Sequence, residues 1–258
     1  MILEEFDKNN KAILNPEDLV SPIKGLPKIG ITCFSKKLLE TIISKNKGTI
    51  LTYSSHSDGK NPIYKVNYKD VDFAVFLSKV GAPTCTAQYE NLFVMGIKKI
   101  VVFGTCGVLK NDIRDLSIII PNKAVRDEGT SYHYSNSSRE IIVNKKYIND
   151  FKMILEKNNI IYTIGKTWTT DAPYRETKEK TKKRKKEKCI CVDMECSALA
   201  ALAEFRNKEI FQFFYATDNL DSKKWEIRSL SDNKELNIKE KIAELAFEIA
   251  LKMNRENN

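Results

Sequence analysis

The sequence is poor in histidine and has no long apolar run. His56 and His133 are its only histidines, and no stretch approaches the roughly 20 apolar residues that a membrane-spanning helix needs. No basic segment followed by an apolar one stands near the start, so we expect no secretory signal and a cytoplasmic protein. Cys189 and Cys191 form a C-x-C pair without a second pair or a histidine cluster nearby, so we expect no metal site.

The cysteines do not indicate a disulfide framework. All six lie within or beside apolar segments: Cys33, Cys85, Cys106, Cys189, Cys191 and Cys196. A chain of 258 residues buries a core large enough to fold without covalent cross-links. We therefore expect buried free thiols, as in a reducing compartment.

Positive charge is concentrated in one segment. Residues 178–188 hold eight basic and two acidic residues, and so carry two thirds of the formal net charge of +9. The segment has no interleaved aromatic residues and the chain has no nucleic-acid-binding motif, so we do not expect nucleic acid as a partner. A solvated helix face is the simpler interpretation.

Strand-like and helix-like segments alternate along the chain. Runs rich in β-branched and aromatic residues occupy 71–80, 99–104, 117–121, 160–165, 189–194 and 210–217. Amphipathic stretches between them predict helices over 34–45, 86–96, 149–159 and 234–254, with Gly96 as a helix C-cap. Without a repeat or a linker, this pattern predicts one α/β domain over residues 1–258, with helices on both faces of a largely parallel or mixed sheet.

Polar residues stand at the ends of three predicted strands. Gly104-Thr105-Cys106-Gly107 ends the first, Met194-Glu195 the second and Asp218-Asn219 the third. Taken singly, each has a structural explanation: a tight turn for the glycines, a favourable helix-dipole contact for Glu195 and a helix N-cap for Asp218. Since ligands bind at the carboxyl ends of strands in such sheets, three together predict a binding site.

The motifs resemble those of a known family. VGAPTCTAQYENL, GIKKIVVFGTCGVL, AVRDEGTSYHY, TTDAPYRET, VDMECSALAAL and YATDNLD occur in this order, and together they resemble the nucleoside phosphorylase superfamily. Within this superfamily, the motifs resemble those of uridine phosphorylase and the hexameric purine nucleoside phosphorylases. The resemblance begins at about residue 28, which leaves residues 1–27 as an N-terminal extension. It implies a three-layer α/β/α domain with a central mixed β-sheet curling toward a barrel, and a homodimer or homohexamer.

The resemblance also implies a reaction. Family members use phosphate to cleave the N-glycosidic bond of a nucleoside, which gives free base and ribose 1-phosphate in nucleoside salvage. Phosphate is the co-substrate, and no other cofactor is expected. Glu195 matches the glutamate that binds the ribose hydroxyls, and Met194 the methionine that packs on the sugar. Asp218 matches the general acid of the purine-cleaving members, which favours a purine nucleoside over uridine.

Base and phosphate sites match the family less completely. Tyr174 matches an aromatic residue of the base pocket, with Arg175 beside it. Thr105 matches the phosphate-binding hydroxyl, and Lys37 stands near the place of one family arginine. The other two phosphate-binding arginines are absent, since Val102 replaces one and residues 54–60 contain none. A nucleosidase that uses water, or an inactive nucleoside-binding protein, therefore remain alternatives. Whether the sugar is ribose or deoxyribose stays open.

Overall fold

The computed structural model describes residues 2–57, 59–231 and 233–255. The outermost positions of the predicted 1–258 domain, and Asp58 of the segment 54–60, lie outside these residues. The described residues form ten strands: β1 (Ile29–Cys33), β2 (Thr49–His56), β3 (Gly59–Tyr68), β4 (Val71–Leu77), β5 (Lys99–Val108), β6 (Ile118–Asp127), β7 (Glu140–Ile142), β8 (Tyr162–Thr170), β9 (Cys189–Asp193) and β10 (Glu209–Asn219). The α-helices are α1 (Lys36–Lys45), α2 (Ala82–Met95), α3 (Ile148–Lys157), α4 (Lys178–Lys186), α5 (Cys196–Phe205) and α6 (Leu236–Arg255).

All of these strands belong to one mixed sheet, in the order β10-β6-β8-β9-β5-β1-β4-β3-β2, with β7 paired to β6. In this order β10 and β5 stand at the two ends of a set of five strands, and they also pair with each other. Strands β5, β10, β6, β8 and β9 therefore close into a barrel, and β1, β4, β3 and β2 extend from it as an open sheet. The predicted mixed sheet curling toward a barrel is confirmed.

Helices cover both faces of the sheet. Helices α1, α3 and α6 pack on one face around a core that includes Phe73, Phe151, Phe213 and Phe247. Helices α2 and α5 pack on the other face, where Tyr89, Leu92, Leu199 and Leu202 are fully buried. The central strands are apolar on both sides for this reason, since neither face meets solvent. The predicted three-layer α/β/α arrangement is likewise confirmed.

The predicted elements are present, but four strands were missed. The predicted strands correspond to β4, β5, β6, β8, β9 and β10, and the predicted helices to α1, α2, α3 and α6. Gly96 caps α2 with a φ of 125°, and all six cysteines are buried free thiols. Strand β1, the β2–β3 hairpin and the short strand β7 were not predicted. The hairpin is partly exposed and alternates polar with apolar residues, so it lacks the continuous apolar run of a central strand.

The N-terminal extension packs on the rest of the chain. Phe6 contacts Phe205 edge to face, Arg206 donates a hydrogen bond to the Asn10 carbonyl, and the Ile23 amide donates to the Met95 carbonyl. These contacts hold the extension against α2 and the end of α5. Among the described residues, none of the helices combines the length and apolar character that crossing a bilayer requires.

Candidate active site

A cleft of about 1260 Å³ opens where β5, β9 and β10 end. In a barrel, antiparallel neighbours usually place their carboxyl ends far apart. Here β5 and β9 pair only at their tips, Gly107 with Val192 and Val108 with Cys191, while Asp218 of β10 lies beside Gly107 in parallel register. The three polar strand ends that the sequence singled out therefore meet in one cleft.

Asp193 fixes the turn between β9 and α5. Its carboxylate accepts hydrogen bonds from the backbone amides of Glu195 (2.9 Å) and Cys196 (2.6 Å). The hydroxyls of Thr167 and Thr169, from the neighbouring strand β8, donate to its other oxygen at 2.8 and 2.9 Å. Burial raises the pKa of Asp193 to about 6, although these four donors favour the charged form. Asp193 thus positions Glu195 at the start of α5. The sequence did not predict Asp193 as a site residue.

The carboxyl group of Glu195 is buried at the wall of the cleft. Its Oε1 accepts a hydrogen bond of 2.6 Å from the amide of Gly81, the residue that precedes α2. Burial, and to a lesser degree the charge of Asp193, raises the pKa of Glu195 to about 8, while the Gly81 amide acts in the opposite direction. An acceptor held in place by a backbone donor is well suited to take hydrogen bonds from a ligand's hydroxyl groups.

Asp218 occupies the end of β10 and is 9% exposed. Its Oδ2 accepts a hydrogen bond of 2.8 Å from the indole nitrogen of Trp225. Burial raises the pKa of Asp218, although the hydrogen bond from Trp225 favours its charged form and so lowers the pKa. A carboxyl group with a raised pKa can hold a proton nearer neutral pH and deliver it to a ligand, which is what general acid catalysis needs. The side chains of Phe213, Phe214 and Tyr215, which precede it on β10, are buried in the core.

Glu176 is a third carboxyl group in the cleft, and the sequence analysis missed it. It follows a short 3-10 turn, Pro173–Arg175, and is partly buried. Burial, and then the charge of Asp218, raises its pKa to about 7. The local sequence gives no signal for this, because the effect arises from the neighbouring end of β10, more than 40 residues further along the chain.

The other predicted site residues divide into two groups. Met194, Thr105 and Tyr174 line the cleft with Glu195 and Asp218. The Tyr174 side chain is 99% exposed at the mouth, so a ligand can reach its whole ring. In the described part of the chain, Lys37 and Arg175 are not among the residues that line the cleft. Lys37 lies exposed in the first turn of α1, and Arg175 is exposed beside Tyr174.

An apolar wall lies beside Thr105. The ring of Phe34, which also lines the cleft, packs on Gly104 so closely that a Cβ on this glycine would lie 2.7 Å from it. Val102 is buried in the same apolar cluster that Phe34 joins. The family pattern has an arginine at the position of Val102. Gly104 is needed here because any side chain would displace the Phe34 ring.

Three comparisons place these features in context. A family model described as "Phosphorylase superfamily" matches residues 28–253. A DeoD-type purine nucleoside phosphorylase from Buchnera aphidicola is 29% identical over 169 residues, which are 62% of this chain and 69% of that protein.

Two solved structures have the same fold. A purine nucleoside phosphorylase from Toxoplasma gondii has a TM-score of 0.76 and 18% identity, and covers 94% of this chain and 95% of its own. A futalosine hydrolase mutant from Helicobacter pylori has a TM-score of 0.72 and 16% identity, and covers 88% and 100%. The cleft at the tips of β5, β9 and β10 contains the motif residues of this family. Because the family model spans nearly the whole chain, the protein belongs to the phosphorylase superfamily.

Proposed function

We propose that the protein cleaves the N-glycosidic bond of a purine nucleoside, with phosphate as the attacking group. The observation that carries this proposal is the meeting of Glu195 and Asp218 in one cleft, each a buried carboxyl group with a raised pKa. The name of the Buchnera relative, a purine nucleoside phosphorylase, supports the same substrate class. A protein that only bound nucleosides would have no use for the tuned acid.

In the proposed reaction, Glu195 accepts hydrogen bonds from the ribose hydroxyls while Met194 packs on the sugar. The bond between C1′ and the base nitrogen breaks, and its electron pair goes to the base. Asp218 donates its proton to the base, which makes the base a better leaving group. A phosphate oxygen forms the new bond to C1′, giving ribose 1-phosphate. The charge of Glu195 stabilises the positive charge that develops on the sugar.

The base is proposed to stack on Tyr174. Its exposed ring stands at the mouth of the cleft, and Trp225, also exposed for more than half of its surface, comes from the opposite segment after β10. Flat bases stack favourably on such rings. Arg175, next to Tyr174 but outside the cleft lining, is proposed to contact the base only if the 173–175 turn moves.

Phosphate is proposed to bind beside Thr105. Lys37 can contribute only through a movement of α1, because its side chain does not reach the cleft lining. The packing of Phe34 on Gly104 supports a second candidate, hydrolysis, since an apolar wall takes the place of a positive charge. The likeness to a futalosine hydrolase shows that this fold also occurs in a hydrolase.

One experiment separates the candidates. Base release from inosine, guanosine, adenosine and uridine is measured in phosphate-free buffer, with and without added phosphate. We expect cleavage of the purine nucleosides that requires phosphate and yields ribose 1-phosphate. Free ribose formed without phosphate would establish the hydrolase instead. Turnover that survives in both Glu195→Gln and Asp218→Asn would refute the roles of these residues.

We also propose that the protein assembles as a homodimer or a homohexamer. Strand β2 lies at one edge of the sheet, and Ile50 and Tyr53 on it are each about half exposed. Apolar side chains on an edge strand favour contact with another chain. Sedimentation velocity of the purified protein measures its mass, and a monomer at all concentrations would refute this part. The cytoplasmic location and the role in salvage stay predictions.

A further inference from the structure

Lysine side chains line one side of the cleft. Lys178, Lys182, Lys185 and Lys186 come from α4, and Lys223 comes from the segment that follows β10. The residues of α4 recur at spacings of four, three and one, which place them along one side of a helix. The basic run in the sequence is therefore a wall of the cleft and not only a solvated helix face.

Packing fixes the orientation of this wall. Thr181 and Arg184 are the buried residues of α4. The guanidinium of Arg184 pairs with Asp127 at 2.9 Å and with Glu187 at 3.1 Å, and lies 5.2 Å from the centre of the Trp168 ring. A helix held by such contacts cannot rotate freely. The lysines on its adjoining side are consequently held at the cleft.

Most of these positive charges have no acidic partner. Lys185 pairs with Asp221. Within the described ranges of the chain, Lys178, Lys182, Lys186 and Lys223 form no ion pair. Two carboxyl groups that line the same cleft, Glu176 and Asp218, have pKa values raised by burial, so they offer less negative charge. Positive charges gathered without partners at a cleft attract anions.

The lysines belong to the parts of the chain that form the base end of the proposed site. They come from the same two segments, 173–186 and 218–225, that supply Tyr174 and Asp218. Glu195, proposed to bind the sugar, comes from a different part of the cleft wall, between β9 and α5. The cleft volume of about 1260 Å³ also exceeds the range of about 300–1,000 Å³ typical of small-molecule sites. There is room beyond the base for a charged substituent.

We propose that the preferred substrate is a nucleoside whose base carries a carboxylate-bearing substituent, which the lysine wall binds. This inference rests on the proposed function and narrows it. The wall would orient the base against Asp218 and would select against nucleosides with an unmodified base.

The test compares adenosine with N6-(1,2-dicarboxyethyl)adenosine, which carries two carboxylates on its base, and with N6-cyclohexyladenosine, a bulky neutral analogue. We expect kcat/KM for the dicarboxylate to exceed both of the others at least tenfold at low salt, and the preference to shrink as salt rises. Equal values for the three, or a preference for the neutral analogue, would overturn the proposal.

Variants locate the effect. The double variant Lys182→Ala/Lys186→Ala should lower kcat/KM for the dicarboxylate at least tenfold more than for adenosine, and double replacement by arginine should restore the preference. Lys183→Ala is the matched control, because Lys183 is an exposed lysine of the same helix that does not line the cleft. A preference that survives the double alanine variant, or falls equally in the control, would overturn the assignment.

Binding measured by calorimetry separates this inference from the proposed function. If the wild-type protein cleaves none of the three compounds and neither inosine nor guanosine, the proposed function fails, and the dissociation constants still test the lysine wall. Tighter binding of the dicarboxylate than of adenosine, lost in the double variant, supports it. Equal binding, or tighter binding of adenosine 5′-monophosphate or a single-stranded oligonucleotide than of the dicarboxylate, overturns it.

Discussion

The amide of Gly81 donates a hydrogen bond of 2.6 Å to Oε1 of Glu195, across 114 positions of sequence. Gly81 has a φ of 93° and a ψ of 136°, a backbone conformation that side chains strongly disfavour. The glycine that starts α2 therefore orients the carboxyl group that starts α5. The N-termini of two helices that are distant in the sequence thus form one part of the site.

Replacing this glycine should damage the site. Gly81→Ala strains the backbone by about 1–3 kcal/mol and moves the amide away from Glu195. We expect KM for a nucleoside to rise at least tenfold, because the carboxyl group loses its anchor. The control is Gly25→Ala, which also has a positive φ, 80°, but contacts no part of the cleft. An equal loss of stability in both, without a rise in KM for Gly81→Ala, would show that the anchor does not matter.

The raised pKa of Glu195 predicts how affinity depends on pH. In the free protein this pKa is about 8, and ribose hydroxyls that donate to the carboxylate favour its charged form. Binding then requires loss of a proton below pH 8, so the dissociation constant should increase up to tenfold for each unit of decrease in pH between 8 and 6. Calorimetry on the Asp218→Asn variant, which suppresses turnover, measures this slope. The slope should be flatter when Glu195→Gln is added, and an unchanged slope would contradict the prediction.

The charge of Asp218 should act on Glu176. Burial, and then the charge of Asp218, raises the pKa of Glu176 to about 7. Removing this charge with Asp218→Asn should lower the pKa of Glu176, because ionised Glu176 then no longer meets a neighbouring negative charge. An NMR titration of the Glu176 carboxyl carbon measures the shift. The matched control is Asp112→Asn, an exposed aspartate that does not line the cleft. An equal pKa of Glu176 in the two variants would exclude this coupling.

Gly107 leaves room for Asp218. A Cβ at this position would lie 2.4 Å from Cδ1 of Leu220 and 3.2 Å from Oδ2 of Asp218. Gly107→Ala should therefore displace both side chains, and we expect kcat to fall by ten- to a hundredfold with a smaller change in KM. Gly48→Ala, which meets the apolar side chains of Ile43 and Val66 away from the cleft, is the control. Unchanged kcat in Gly107→Ala would show that Leu220 alone absorbs the added methyl group.

Local pattern explains why so much of the fold was predictable. Residues 99–104, 189–194 and 210–217 are apolar because both faces of their strands are covered, and this leaves a continuous signal in the sequence. The β2–β3 hairpin is half exposed, so its alternation is weaker and was missed. The closing pair of β10 with β5 joins segments about 110 residues apart, and no local period encodes it.

The sequence by itself determined the family, the layered α/β architecture and five of the cleft residues, Thr105, Met194, Tyr174, Glu195 and Asp218, because motif and strand-end position are local properties. The tertiary structure alone decided the rest. It left Lys37 and Arg175 out of the cleft lining and packed the ring of Phe34 on Gly104, beside Thr105. It also brought Gly81, Glu176 and the lysines of α4 to the site. Burial and mutual charge set the pKa values there, and both depend on neighbours that only the closed barrel brings together.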